Sequence, residues 1–352
     1  MTDDRRPQAP RRGIARLFRT ALVLIPIGVL GNIVFSYVTT DRSVFHSLAD
    51  RPKSYLLLAA VLGVTPWFTN ALRVLIWTRF LGYRLSFRDA FEMSLATDLG
   101  SAVAPTAVGG GIFKWGLLVQ HGVSPGAAAS ITTFPIVEDG IFFLLALPFA
   151  LIFSESLDLP LLHEVGLRLR ENAFIVFGVA AAIGILSWLA IRWVLGGGLG
   201  HRTRSRGLKI FARLRRKMRT TWRDAREVFQ IIIRRGRLLF LLSLSITAVQ
   251  WAARYSVVTA IIAYLGAPVH PVLYWLLQWV VFTFMALTPT PGGAGGAEAS
   301  FYLIYSAFVP RDVIGLATAG WRFLTFYFEL GLASILFFVF NLTRRGSKPK
   351  LF

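Results

Sequence analysis

Long apolar runs constrain this chain more than any other feature of its sequence. The chain has 352 residues, of which 55% are hydrophobic, and a soluble domain of that composition would lack the polar surface to cover itself. A helix needs about 20 apolar residues to cross a bilayer. Six runs reach this length and predict an all-α polytopic membrane protein with six full spans, at residues 17–38, 55–80, 125–153, 173–195, 238–265 and 313–340.

Two further apolar regions, residues 87–121 and 268–308, are interrupted by glycine and proline. The second contains Thr-Pro-Thr-Pro-Gly-Gly-Ala-Gly-Gly-Ala-Glu at residues 288–298. This run cannot hold a continuous helix, because proline removes a donor and glycine costs ordering entropy. Two full crossings would need roughly 40 apolar residues, so each region must cross once in broken form or enter and return. Broken backbone at membrane depth is tolerated only inside protein or along a wet cavity.

The charge distribution favours two re-entrant helical hairpins. Residues 202–237 carry fourteen Lys/Arg against two acidic residues, a net +12. If both interrupted regions are re-entrant, this segment and both basic termini are cytoplasmic, as the positive-inside rule requires. We therefore expect a multi-pass protein of a bacterial-type plasma membrane. Its predicted parts are a basic cytoplasmic N-terminus at 1–16, a first membrane repeat at 17–172 with re-entrant residues 87–121, a second repeat at 173–342 with a cytoplasmic loop at 196–236 and re-entrant residues 268–308, and a basic cytoplasmic tail at 343–352.

The formal charge of +20 does not indicate a nucleic-acid partner. The basic residues of 202–237 cluster between two predicted spans, where they are expected to contact an anionic membrane surface. The chain has no cysteine, which excludes disulfides and thiolate sites, and none of its five histidines pairs at metal-ligand spacing. The glycine runs lack the spacing of a P-loop. We therefore expect no cofactor and no metal.

The two interrupted regions are copies at an offset of 184 residues. The offset pairs Trp with Trp, Gly with Gly and Pro with Pro without a gap. The alternative explanation for these matches is a shared compositional bias. Given the predicted topology, the two copies are inverted repeats, an arrangement that places a transporter's site near the membrane midplane. The matching pairs are Trp67 and Trp251, Gly82 and Gly266, Pro105 and Pro289, and Gly109 and Gly293, with Lys114 opposite Glu298.

Lys114 and Glu298 each follow a glycine run, in the first turn of a helix that is expected to resume there. A helix N-terminus offers free N–H groups and a positive end, which suit a lipid phosphate. Lys114 would add a charge to that site, and Glu298 would cap its own helix or titrate. Alternatively, the two residues pair with each other across the pseudo-symmetry axis. The glycines expected at the site are Gly109, Gly110, Gly293 and Gly295.

Arg254 lies in the middle of a predicted span and is a candidate phosphate ligand, or else a partner of Glu138 or Asp139. Glu138 and Asp139 are adjacent, so they point about 100° apart and only one is expected to face a cavity. Arg73 lies nearer the cytoplasmic end of its span, where we expect its side chain to snorkel.

Arg322 is a further candidate site residue in the last predicted span. It lies seven residues before Glu329, on the same face of an ideal helix, so either the two pair or Arg322 turns inward. Asp98 and Asn70 are expected to hydrogen-bond between helices.

Residues 291–298, Pro-Gly-Gly-Ala-Gly-Gly-Ala-Glu, resemble the Pro-Gly-Gly-x-Gly-x-x-Glu signature of the flippase-like transmembrane family. That family includes the membrane domain of lysylphosphatidylglycerol synthases. Residues 105–110 followed by Lys114, then residues 122–124 and the pair at 138–139, are similar to its first-half pattern, in which an arginine often stands at the position of Lys114. The resemblance implies a membrane module that moves lipids, or lipid-linked groups, between leaflets.

Three functions are compatible with these residues. The first is a flippase for a phospholipid or polyprenyl-linked lipid with an anionic headgroup, with proton coupling through Glu298 or Glu138 as a further hypothesis. The second is a headgroup transferase with Glu298 or Asp139 as its base. The third is a non-catalytic membrane partner subunit. The chain ends soon after its last predicted span, so synthase activity is not expected, and a separate lipid-modifying enzyme is an expected partner.

Overall fold

The computed structural model describes residues 50–103, 108–153, 235–288 and 290–346, together with a few isolated positions. The predicted spans at 17–38, apart from three isolated positions, and at 173–195 lie outside the described residues. So do the basic segment at 202–237, apart from a few positions, and the predicted N-terminus at 1–16. The division into repeats at 17–172 and 173–342 therefore stays a prediction.

All regular structure in the described part of the chain is helical. A 3₁₀ turn, Pro291–Gly293, precedes α7, and a π-helical segment, Phe323–Phe328, joins α8 to α9. The helices are α1 Ser54–Phe80, α2 Phe87–Val103, α3 Val108–Gln120, α4 Pro125–Phe153, α5 Arg237–Tyr264, α6 Pro271–Leu287, α7 Gly296–Tyr305, α8 Ile314–Arg322 and α9 Glu329–Gly346.

Four helical stretches are long and apolar enough to cross a membrane, and each corresponds to a predicted span. They are Ser54–Phe80, Pro125–Leu151, Arg237–Tyr264 and Ile314–Phe340, the last of which runs through the π-helical segment. The prediction of an all-helical, membrane-embedded, multi-pass protein is thereby confirmed. Within the described ranges, four of the six predicted spans are seen.

Each interrupted region forms a short antiparallel pair of helices. In the first, Gly110 of α3 lies so close to α2 that a Cβ atom there would stand 2.6 Å from the carbonyl oxygen of Thr97. In the second, the side chain of Gln278 on α6 donates a hydrogen bond to the Tyr305 hydroxyl on α7 at 3.2 Å. Both α2 and α6 have 17 residues, a length of about 25 Å, and so fall short of a full crossing of about 30 Å.

Helices α1 and α5 pack against each other in opposite directions, with the most extensive contact of any pair of described helices. Arg51, just before α1, donates to the carbonyl oxygen of Tyr264 at the end of α5, at 3.3 Å. Trp77, near the end of α1, donates to Ser243 near the start of α5, also at 3.3 Å. Helices that correspond at the offset of 184 residues are therefore antiparallel.

The C-terminal ends of α1 and α5 make the same backbone hydrogen bonds at equivalent positions. After α1, Gly82 has a φ of +83°, and its N–H donates to the carbonyl oxygen of Arg79 at 3.0 Å. After α5, Gly266 has a φ of +68°, and its N–H donates to Ala263 at 3.0 Å. A left-handed glycine that closes a helix end in this way is a common C-terminal cap.

We predict that Gly82→Ala lowers the stability of the protein. A left-handed φ costs an L-residue about 1–2 kcal/mol, and no atom lies within 4 Å of the added Cβ, so strain is the whole effect. The matched control is Gly140→Ala inside α4, where the Cβ again meets nothing within 4 Å and a helical φ carries no such cost. Thermal unfolding in detergent micelles should show a lower midpoint for the first variant alone. Equal midpoints would contradict the capping role.

Candidate functional site

A cavity of about 800 Å³ opens between the two halves of the described structure. Its walls come from the C-terminal end of α2, from α5 and α6, from the turn before α7, and from α8 to α9. Ligand sites in proteins commonly have volumes of about 300–1,000 Å³. The cavity is lined with aromatic side chains, namely Trp251, Tyr255, Trp279, Phe282, Trp321 and Phe326.

Arg254 reaches this cavity without an ion-pair partner. Its guanidinium lies 5.4 Å from the ring centroid of Phe282, a cation–π contact. It makes no hydrogen bond or salt bridge with any residue that the structure describes, so the expected alternative of a pair with Glu138 or Asp139 is wrong. An unpaired charge at membrane depth costs about 2.5–3.5 kcal/mol on insertion scales. Arg254 is therefore placed to meet an anion.

Arg322 is turned inward and holds the turn that precedes α7. Its Nε donates to Oε1 of Glu298 at 2.8 Å, and its Nη2 donates to the carbonyl oxygen of Gly292 at 2.7 Å. The other carboxylate oxygen of Glu298 accepts the N–H of Gly295 at 2.8 Å, which caps α7. Gly293, with a φ of +67°, continues the same turn along the cavity wall. One arginine thus joins the second glycine run to α8.

Two carboxylates line the same cavity as Arg254, on other helices. Asp98 on α2 accepts the indole N–H of Trp67 at 2.7 Å. Glu329, at the start of α9, is only 7% exposed, and its Oε1 is buried with no hydrogen-bond partner among the described residues. The cavity therefore combines one unpaired cation with two acids.

Arg73 forms a second buried ion-pair network, between α1 and α4. Its Nε donates to Oε2 of Glu138 at 2.9 Å, and its Nη1 lies 3.4 Å from Oδ1 of Asp139. The side chains of Arg73 and Glu138 are 1% and 0% exposed. The expectation that Arg73 snorkels to the membrane surface is wrong, because two carboxylates and the carbonyl oxygen of Pro135 satisfy it in the interior.

Glu138 and Asp139 both turn towards this network, and neither lines the described cavity, although one of them was expected to face a cavity. Asp139 also accepts the indole N–H of Trp251 at 3.0 Å, just as Asp98 accepts that of Trp67. Trp67 and Trp251 correspond at the offset of 184 residues. The two copies therefore use equivalent tryptophans to hold a carboxylate, a role that the sequence did not reveal.

Lys114 is buried at 8% exposure but lies in the second turn of α3, not in its first. The reason is that α3 already begins at Val108, just before the glycine run, so the glycines form its first turn, whereas α7 begins only after Gly295. Lys114 does not pair with Glu298, which is bound to Arg322. It lies within electrostatic range of Glu138 and Asp139. The pair Glu298 and Arg322 corresponds by position to Lys114 and Glu138 with the charges exchanged.

The structure thus divides the sequence-predicted site residues between two places. Arg254, Arg322 and Gly293 line the cavity, and Gly295 and Glu298 support its rim at the start of α7. Lys114, Glu138 and Asp139, with the α3 glycines Gly109 and Gly110, belong to the first half and are not among the residues that line the described cavity. Asp139 nevertheless contacts the cavity wall through Trp251, and Gly110 packs against Ser101 of that wall.

Two cavity residues, Asp98 and Glu329, were not among the predicted site residues. Asp98 was expected to hydrogen-bond between helices, which it does, through Trp67. For Glu329 the expectation was that it pairs with Arg322, or else that Arg322 turns inward. The π-helical segment between them changes the angular step, so the seven-residue spacing no longer brings the two side chains together. The presence of a charged residue within an apolar region was the only feature of the sequence that could have indicated both as site residues.

A bundle of apolar helices with broken hairpins and a charged interior cavity defines a class of multi-pass membrane protein with an internal site. Comparison with known proteins assigns the family. The model of the lysylphosphatidylglycerol synthase TM region matches residues 20–333, and the chain belongs to this family. It is also similar to a UPF0104 membrane protein from Archaeoglobus fulgidus, with 27% identity over 318 residues that cover 89% of this chain and 94% of that protein.

We predict that Arg73→Met destabilises the protein by about 3–5 kcal/mol, because it leaves Glu138 buried without its partner. The double variant Arg73→Met/Glu138→Gln removes both charges and should recover most of that loss. Unfolding in detergent micelles, followed by the midpoint of the transition, checks both changes. If the single variant is as stable as the wild type, the network carries no structural role. If the double variant is no better than the single one, the unpaired charge is not the cause.

Proposed function

We propose that this protein moves a phospholipid or polyprenyl-linked lipid between the leaflets of a plasma membrane, with the headgroup in the cavity and the tail left in the bilayer. The observation that carries this proposal is Arg254, a cation at membrane depth without an ion-pair partner in the described structure. A lipid phosphate would satisfy its charge and supply charge-assisted hydrogen bonds. The family and the large aromatic-lined cavity support the same reading.

The proposed membrane arrangement has six full spans and two re-entrant hairpins in inverted repeats. Support comes from the antiparallel packing of α1 on α5 and from the short hairpins α2–α3 and α6–α7. The turn at Pro291–Gly293 packs against α2, so the broken end of one hairpin meets the helix of the other beside the cavity. Exchange of these contacts between the two halves would expose the cavity alternately to each side.

The ion pairs formed by Glu298 and Asp139 favour transport over a transferase reaction. The two candidate bases, Glu298 and Asp139, are both held in ion pairs with arginines. A carboxylate held in such a pair has to break a charge-assisted hydrogen bond before it can contact a substrate. The proposed contact of the 202–237 segment with anionic lipid, and a separate lipid-modifying enzyme as partner, remain part of this proposal.

We predict that Arg254→Gln slows lipid movement in reconstituted vesicles by roughly 10- to 100-fold, the equivalent of losing one charged hydrogen-bonding partner. Arg254→Lys keeps the charge and should lose less. The control is Arg88→Gln, at a residue that stacks on Phe340 away from the cavity. A fluorescent phospholipid whose outer-leaflet fraction is bleached by dithionite reports the rate. Equal rates for Arg254→Gln and wild type would overturn the phosphate role, and wild-type vesicles that move no lipid would overturn the function.

We predict that both ends of each hairpin lie on one side of the membrane, and that the two hairpins open on opposite sides. The absence of native cysteines allows single-cysteine labelling. Exposed Ser86 and Ser124 flank the first hairpin, and exposed Val269 and Ser306 flank the second. In oriented vesicles, an impermeant maleimide should label Ser86→Cys and Ser124→Cys from one side, and Val269→Cys and Ser306→Cys from the other. Opposite sidedness within either pair would show a through-going crossing.

A further inference from the structure

Several hydrogen-bond donors of the cavity lack a partner in the described structure. The indole N–H of Trp321 is buried there without one, although the side chain is only 1% exposed. Trp279 and Tyr255 also line the cavity, and neither the indole N–H of the first nor the hydroxyl of the second bonds a described residue. Buried polar groups without partners are rare in native proteins, so a ligand is expected to complete this set.

The cavity also offers hydrogen-bond acceptors. Thr283 and Thr325 donate their hydroxyl hydrogens to backbone carbonyl oxygens one turn earlier, at 2.8 and 2.7 Å, so towards a ligand these hydroxyls can only accept. Oδ2 of Asp98 accepts the indole N–H of Trp67, which leaves Oδ1 without a described partner. A carboxyl group can bond a ligand hydroxyl in either protonation state, because it accepts when ionised and both accepts and donates when protonated.

Trp279 is the cavity aromatic whose ring carries no other aromatic ring in the described structure. Its counterparts are engaged: Trp321 stacks on Phe301 with 4.7 Å between ring centroids, and Trp251 packs on Tyr255 at 5.2 Å. The face of an aromatic ring is electron-rich, and the C–H hydrogens of a sugar ring are partly positive, so the two attract each other. Trp279 therefore offers a platform for a sugar ring.

This platform lies one helical turn from the place where Arg254 would bind a phosphate. The guanidinium of Arg254 lies 5.4 Å from the ring centroid of Phe282, which follows Trp279 by three residues on α6. Residues three or four apart on a helix are neighbours on one face, with Cβ atoms about 5–6 Å apart. Thr283 belongs to the same face and also lines the cavity. A phosphate on Arg254 thus places the next group of the headgroup beside Trp279.

We propose that the lipid carries a sugar joined directly to its phosphate, with the sugar ring on Trp279 and the phosphate on Arg254. This inference rests on the proposed lipid-moving function and names its substrate class. Sugar hydroxyls both donate and accept, so they serve the unpartnered donors and acceptors alike. An ammonium headgroup donates only and cannot accept from the indole N–H groups. Ethanolamine or glycerol would also fill little of a cavity of about 800 Å³, which has the size of sites for drug-sized ligands.

Three soluble probes can isolate the contribution of the headgroup. Octyl glucosyl phosphate, octyl phosphoglycerol and octyl phosphoethanolamine share one chain and one phosphodiester, so differences in Kd come from the group beyond the phosphate. Each is titrated calorimetrically into the full-length protein in detergent. We expect wild type to bind the glucosyl probe roughly 10-fold more tightly than either of the other two, the gain of one or two hydrogen bonds and a stacked ring.

Variants then assign the preference to its residues. Trp279→Leu should bring the ratio of Kd for the glycerol and glucosyl probes to about one, with the affinity for the glycerol probe unchanged. Trp279→Phe keeps an aromatic face and should retain most of the preference. The matched control is Trp115→Leu, at an exposed tryptophan outside the cavity lining, which should keep the wild-type ratio. Arg254→Gln should weaken all three probes by a similar factor, because they share the phosphate.

The outcomes separate this inference from the proposed function. Equal Kd values of wild type for the three probes, or tightest binding of the ethanolamine probe, overturn the sugar headgroup and leave lipid movement standing. A ratio that stays at its wild-type value in Trp279→Leu overturns the platform. If wild type binds none of the probes, the inference is wrong, and the proposed function is wrong as well if the vesicles show no lipid movement.

Discussion

The need to neutralise charge inside an apolar bundle organises the described structure. Arg73 and Arg322 are almost fully buried, and each donates hydrogen bonds to a carboxylate and to a backbone carbonyl oxygen. These pairs join different elements of the fold: α1 to α4, and the broken second hairpin to α8. Breaking one partner of such a pair leaves a buried charge, which costs far more than the pair gains. The fold therefore depends on these contacts. Arg254 is the exception, because no described residue forms an ion pair with it.

Duplication with inversion explains why these charges converge. The antiparallel pair of α1 and α5 brings equivalent positions of both halves to the centre, where Trp67 and Trp251 each hold a carboxylate. The copies are not identical in charge, since Glu298 and Arg322 stand where the first half has Lys114 and Glu138. In the second half, Nε of Arg322 lies 2.8 Å from Oε1 of Glu298, whereas Lys114 makes no ion pair with any described residue. The described cavity lies beside the second glycine run, next to the closed pair.

Much of the fold follows from patterns that can be read in the sequence, but the charge partners do not. Runs of about 20 apolar residues fix helices such as Pro125–Phe153, and glycine with proline fixes the breaks before α3 and α7. The partner of Arg73 depends on how α1 crosses α4, which no local pattern encodes. The separation of Arg322 from Glu329 depends on a π-helical segment, whose sequence, Phe-Leu-Thr-Phe-Tyr-Phe, looks like ordinary helix. Arg254 could be predicted as a site residue because depth alone makes a lone arginine costly.

The proposed function depends most on a lipid phosphate reaching Arg254, and photo-crosslinking tests this directly. A phospholipid that carries a photoreactive group on its headgroup is activated in vesicles that hold the protein, and the attachment sites are mapped by mass spectrometry. We expect attachment to cavity residues such as Tyr255, Thr283 and Thr325, and loss of this attachment in Arg254→Gln. Attachment confined to the exposed outer surface, at residues such as Leu144 and Leu303, would contradict it.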